Sequence, residues 1–248
     1  YPSCPVFIQY NTEIMKAMLN FIFDYSESGR WKKNFAAHDV GTYPLANGQT
    51  YQEDMPVEET GNMLIMTTAI AIADGNADYA AKHWETLTIW SNYLAEEGLD
   101  PENQLCTEDF AGHLAHNANL SAKAIMAIAG YGRLAKMLNK PEEAKKYTEM
   151  AKKMAIEWER KANDGDHYRL AFDRPDTWSQ KYNFVWDKTL GMNVLPTEIM
   201  KKEVAFYLKN QNKYGLPLDN RFTWGKIDDT DEANAAKIAT GNTVTIIK

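Results

Sequence analysis

The sequence predicts an all-α protein, with its helices arranged as an α/α toroid. Two patterns carry that expectation. Apolar residues recur at helical spacing along most of the 248 residues, and the helices they mark are of two kinds. Those beginning near residues 57, 116 and 184 are rich in Ala, Gly, Met and Ile and carry little charge. Those near 12, 77, 141 and 197 have one apolar stripe and Lys- and Glu-rich outer faces. A helix that is apolar nearly all round is buried on every side, and an amphipathic one covers it from solvent. An inner ring wrapped by an outer ring satisfies both. A helical solenoid ranks lower, because no fixed-period self-similarity is visible.

Asn11 or Thr12 caps a first helix through about Glu27, with Ile14, Met18, Leu19, Ile22 and Tyr25 on its apolar stripe. Pro56 opens a second helix, about Val57 to Asp74, and Gly75 stops it. A third runs from about Ala77 to Glu97. A fourth spans about His116 to Leu138, and Pro141 opens a fifth that ends at Asp164-Gly165. The following segment alternates around a turn at Arg174-Pro175-Asp176, which predicts a short β-hairpin within residues 167–180. Two shorter helices, near Phe184–Asn193 and Thr197–Asn210, complete the pattern.

Between the helices, the stretch from His38 to Asn62 has neither helical nor strand periodicity. Loops of that length in compact domains are usually functional or disordered, and its aromatics and prolines argue against disorder. The long polar loops near 30–57, 98–115 and 164–183 all precede inner helices. They are therefore expected to gather at one end of the ring, where helix N-termini favour anions.

A formal charge of −7 leaves no basic stripe for nucleic acid or anionic lipid. No apolar run approaches the ~20 residues that span a bilayer. Cys4 and Cys106 show no metal spacing; whether they pair is open.

The segments FAAHDVGTYPLANGQTYQEDMPVEETGNML, LCTEDFAGHLAHNANLSAKAI, DGDHYRLAFDRPDTWSQKYNFVWDK and NKYGLPLDNR resemble the helical domain of the glutaminase A-like family. The likeness covers roughly residues 1–225. It implies a toroid of the six-hairpin glycosidase-like kind, preceded by β-rich domains in a longer secreted or periplasmic chain. It also implies hydrolysis of glutamine to glutamate and ammonia. Residues 226–248 depart from the family and read as an atypical tail. The helices are fewer than a six-hairpin ring holds, so the ring is expected to be incomplete and the chain cut short at both ends.

For the site, Glu58 and Glu59 fall in the first turn of an inner helix, where the dipole is expected to lower their pKa. One serves as general base, or both cap the helix. Asp39, beside His38 and before Gly41, binds a substrate hydroxyl or amine, or stabilises a turn. Asp109, flanked by Phe110, is the second carboxylate: a general acid kept protonated, or a loop cap. Asn62 closes the same loop. His113 and His116, three apart, suit packing and hydrogen bonding better than metal binding. Trp178, Lys181 and Trp186 offer an aromatic wall with a cation, or core packing. Asp187 is a charge on an otherwise apolar helix.

The sequence lacks a G-x-S-x-G elbow, an S-x-x-K motif and a phosphate loop. Ser121 and Lys123 sit on different helix faces, and a Cys106–His113 nucleophilic pair is a weak signal. The expected substrate is small, glutamine or a sugar, with no cofactor. Three functions stand side by side: the glutaminase, an inverting glycoside hydrolase, and a non-catalytic binding or structural fragment.

Overall fold

A computed structural model describes residues 1–107, 112–213 and 215–220. Asp109 and the segment 226–248 lie outside the described residues. In chain order the helices are α1 (Cys4–Tyr10), α2 (Thr12–Glu27), α3 (Pro56–Asp74), α4 (Asp78–Lys82), α5 (Trp84–Glu97), α6 (Ala118–Met137), α7 (Pro141–Ala162), α8 (Val185–Thr189) and α9 (Thr197–Asn210). The protein is all-α, as the periodicity predicts.

The helix ends follow from local chemistry. Asn11 caps α2 by accepting the Glu13 N–H at 2.9 Å. Pro56 begins α3, and Gly75 ends it in the left-handed conformation at φ 70°. Asn117 caps α6 by accepting the Asn119 and Leu120 N–H groups.

The inner helices α3 and α6 are buried along most of their length and pack on each other. A Cβ on Gly130 would lie 2.5 Å from Thr68 Oγ1, so glycine sets how closely the two helices approach. The amphipathic α7 covers α6, while α1, α2 and α5 cover α3. This inner-and-outer layout fits a toroid-like assembly of helical hairpins.

Several details depart from expectation. Helix α1 lies in a stretch with no helical signal. In α2 the buried face is Met15, Leu19, Ile22, Phe23 and Tyr25, whereas Ile14 and Met18 are at the surface, 46% and 37% exposed. The helix is apolar on two sides. Phe23, stacked on His83 at 3.9 Å and on Trp90 at 5.3 Å, turns its own side inward. The single helix expected from 77 to 97 breaks at His83, whose Nδ1 is 2.9 Å from Glu27 Oε1.

The hairpin also forms earlier than predicted. Strands β1 (Asn163–Asp164) and β2 (His167–Tyr168) pair antiparallel around Gly165, at φ 72°. The Arg174–Asp176 turn exists but joins no strands; the Asp176 N–H donates instead to Asp164 Oδ2 at 2.7 Å. Cys4 and Cys106 are both buried and form no disulfide with each other.

Candidate functional site

Hydrogen bonds gather the loops before the inner helices at one end. The Val57 N–H donates to Gln104 Oε1 at 3.0 Å, tying the start of α3 to the 98–115 loop. Ala118 N–H donates to Leu170 O and Phe172 N–H to His116 O, each at 2.9 Å, tying the start of α6 to the 164–183 loop. Asn183, in the 3-10 turn Tyr182–Phe184 that leads into α8, donates through Nδ2 to Asn119 O at 2.9 Å.

A buried ion pair sits where these segments meet. Lys123 on α6 donates to Glu58 on α3, with Lys123 wholly buried and Glu58 2% exposed. The ammonium also donates to Asn62 Oδ1 at 2.7 Å and lies 3.4 Å from Thr107 Oγ1. It stands 4.0 Å from the centre of the Tyr1 ring, within cation–π range. Every donor direction of the ammonium is thus used, as a buried charge requires. Gly61 makes this geometry possible: a Cβ there would lie 2.6 Å from Lys123 Cγ, so a side chain would block the lysine stem.

Three half-buried groups form a rim over the pair: Glu59, Asn62 and Thr107. Asn62 Nδ2 donates to Glu58 Oε1 at 3.3 Å and to Glu59 Oε2 at 3.2 Å. The Thr107 hydroxyl donates to Glu58 Oε1. Burial raises the Glu59 pKa, and the neighbouring Glu58 charge raises it further; Lys123, Asn62 and His38 only partly offset this. The helix dipole was expected to lower it. Desolvation and a like charge win instead, because both act at closer range than the helix terminus.

The other predicted residues are spread more widely. Asp39 Oδ1 accepts the N–H groups of Gly41 and Thr50, and its Oδ2 accepts that of Tyr51. Burial alone would raise its pKa. The Thr50 and Tyr51 N–H groups, His38 and the Gly41 N–H overcome that and hold it at about 2. Asp39 therefore organises the loop. His38 stacks on Tyr51 at 4.1 Å, with its Nδ1 3.1 Å from Asp39 Oδ2.

His113 pairs with Glu53 at 2.6 Å and His116 with Asp100 at 2.7 Å, both near the surface. Cys106 is buried, and its Sγ accepts from Asn117 Nδ2 at 3.5 Å. Trp178 packs on Phe206, whereas Trp186 is buried against Tyr1, whose hydroxyl accepts from its Nε1 at 2.6 Å. The Lys181 ammonium turns inward to Tyr168 O and Ser179 O, at 3.1 and 2.8 Å. Asp187 accepts the Val194 N–H at 2.8 Å and so closes its own loop; burial raises its pKa against that bond. Among the described residues no group of three or more His, Cys, Asp or Glu side chains is placed to hold a metal ion.

Glu58, Glu59 and Asn62 thus come together, whereas His38 stays with Asp39 and Tyr51 in its own loop. Trp186 reaches the cluster through Tyr1. Sequence reasoning missed Lys123, Thr107, Tyr1 and Asn183. One signal for Lys123 was present: it is a cation inside an apolar inner helix and needs a buried partner.

Residues 1–247 match the family of the Glutaminase A six helical-hairpin domain. The chain belongs to the glutaminase A family. It is 35% identical over 235 residues to Glutaminase A of Aspergillus oryzae, covering 92% of this chain and 34% of that protein. It is 25% identical over 316 aligned positions to a probable glutaminase of Arthroderma benhamiae, covering 92% of this chain and 37% of that protein. The chain therefore spans about a third of the length of these curated relatives.

Proposed function

We propose that this glutaminase-family protein hydrolyses the side-chain amide of glutamine, releasing ammonia, at the rim formed by Glu59, Asn62 and Thr107. The observation that carries this is a pair of neighbouring carboxyls in unlike surroundings. Glu58 is ion-paired with the buried Lys123, whereas burial and the Glu58 charge raise the pKa of Glu59. Neighbouring carboxyls in unlike environments are those that divide base and acid roles. Glu58 takes the proton from the attacking group, and Glu59 supplies one to the departing nitrogen. Asn62, bonded to both carboxyls and to Lys123, fixes their relative positions.

An inverting glycosidase built on these two carboxyls fits less well. Such enzymes place acid and base on opposite faces of the sugar, about 6.5–9.5 Å apart. Glu58 and Glu59 are sequence neighbours on one helix and share a single Asn62 nitrogen at 3.3 and 3.2 Å. Two carboxyl oxygens that share one nitrogen at these distances lie at or inside the lower limit of that spacing.

The family likeness supports a secreted or periplasmic protein with β-rich domains ahead of this one. No helix among the described residues is long and apolar enough to cross a membrane.

The test is ammonia release from L-glutamine by the full-length polypeptide that carries this chain. Glu58→Gln and Glu59→Gln are each expected to lower kcat by about a hundredfold or more, the usual worth of a general acid or base. Undiminished release from the doubly substituted protein would remove this site from consideration.

A further inference from the structure

We propose that Thr107 is the nucleophile of this site, forming an acyl ester with the substrate. The inference rests on the amide-hydrolysis reading above and supplies the nucleophile that no sequence motif reveals.

The argument starts from access. Glu58 is 2% exposed and Lys123 is wholly buried, so neither can touch a substrate directly. Whatever reactivity the pair holds must be delivered by a group that touches both the pair and solvent. Thr107 is half-buried, donates its hydroxyl proton to Glu58 Oε1, and has the Lys123 ammonium 3.4 Å from its oxygen. A hydroxyl is a weak nucleophile at its free pKa and needs an adjacent base within hydrogen-bond reach, itself oriented by a third group. Glu58 is that base, and Lys123 is the third group. Asn62 holds both in register.

The chemistry balances without any further reactant except water. Thr107 Oγ1 bonds to the amide carbon as its proton passes to Glu58. The Lys123 charge, in a site shielded from water, opposes the negative charge that builds at the reacting oxygen atoms. The carbon–nitrogen bond then breaks, and the nitrogen leaves as ammonia with a proton from Glu59. A water molecule attacks the ester and gives one proton to Glu59, restoring the proton that Glu59 gave to ammonia. The ester bond breaks, Thr107 regains its proton from Glu58, and the acid product departs, restoring the starting hydroxyl.

The alternative is direct attack by a water molecule, with Thr107 serving only as a hydrogen-bonding neighbour of Glu58. The two differ in whether a covalent intermediate exists. The full-length polypeptide would be mixed with L-glutamine or γ-glutamyl-p-nitroanilide, with and without hydroxylamine, and acid-quenched samples analysed by mass spectrometry. The expected results are a γ-glutamyl adduct on the peptide containing Thr107 and γ-glutamyl hydroxamate formed in proportion to added hydroxylamine. Thr107→Ala is expected to lose about a thousandfold in kcat, while Thr107→Ser stays within about tenfold of the original rate. The wild-type adduct is read on unsubstituted protein, so a misfolded variant would not mask the answer.

Ammonia release with no adduct and no hydroxamate would overturn the nucleophile while leaving amide hydrolysis intact. So would a Thr107→Ala protein that keeps most of its rate. No ammonia from L-glutamine and no p-nitroaniline from γ-glutamyl-p-nitroanilide with the unsubstituted protein would overturn both.

Discussion

Lys123 on α6 and Glu58 on α3 form an ion pair wholly inside the protein, although 65 positions separate them in the chain. Such a pair couples the two inner helices and also commits each partner to the other. Removing one partner strands a buried charge, which typically costs 3–5 kcal/mol. Replacing both removes the stranding. Lys123→Met is therefore expected to destabilise the protein by about 3–5 kcal/mol at neutral pH. Adding Glu58→Gln to it is expected to restore most of that loss. Urea denaturation of the two single variants and the double variant measures the coupling. A double variant no more stable than Lys123→Met would mean that the pair is not energetically coupled.

The lysine reaches its partner only because Gly61 has no side chain. A methyl group placed there would sit 2.6 Å from Lys123 Cγ and 2.9 Å from Cδ. Overpacking of this sort costs about 1–3 kcal/mol. The shifted ammonium would also lose its hold on Glu58 and Asn62. Gly61→Ala is thus expected to lower Tm and, on the functional reading above, to lower activity more than a surface Gly→Ala control such as Gly75→Ala. Gly75 stands in open space but at φ 70°, so its substitution reports backbone strain alone. Equal activity in the two variants would show that the lysine's path does not matter.

Much of the fold was legible because its signals are local. Asn11, Pro56, Gly75 and Pro141 mark helix ends by their own backbone chemistry, and the alternation of apolar and amphipathic helices separates inner from outer layers. What escaped is what depends on distant partners. Helix α2 has apolar residues on two sides, and only the position of Trp90 and His83 selects the Phe23 face. The carboxylates of the site were visible because first-turn acids are conspicuous. Their electrostatics were not, because the sign of the Glu59 shift depends on burial and on a neighbour whose own charge is held by Lys123.

The loop that carries His38 offers a test in acid. Asp39 titrates at about 2 when folded, against an ordinary value of 3.8. A depressed pKa contributes stability that is present above the unfolded value and lost as pH falls through the folded one. Its contribution should therefore disappear progressively between about pH 5 and pH 1. Asp39→Asn is expected to cost about 1 kcal/mol near neutral pH, the net worth of one hydrogen bond, and nothing by about pH 1. A loss that persists unchanged at about pH 1 would point to packing rather than to charge.

Glu59 predicts the opposite slope. Its folded pKa lies above the ordinary value of 4.5, chiefly from burial and then from the Glu58 charge. Between those two values the folded protein holds a proton that the unfolded chain has released. The stabilisation is complete below the unfolded pKa and is lost as pH rises through the folded one. Glu59→Gln keeps a neutral side chain at every pH and so removes this slope. The variant should gain on the wild type as pH rises from about 4.5 through the folded value, then keep a constant advantage. Lys123→Met should move the window to higher pH, because Lys123 is the charge that most favours ionised Glu59. Chemical denaturation of the three proteins across this pH range reads both effects. Parallel stability curves for wild type and Glu59→Gln would mean that Glu59 is ionised in the folded state at the same pH as in the unfolded chain, and the acid role assigned to it would fall.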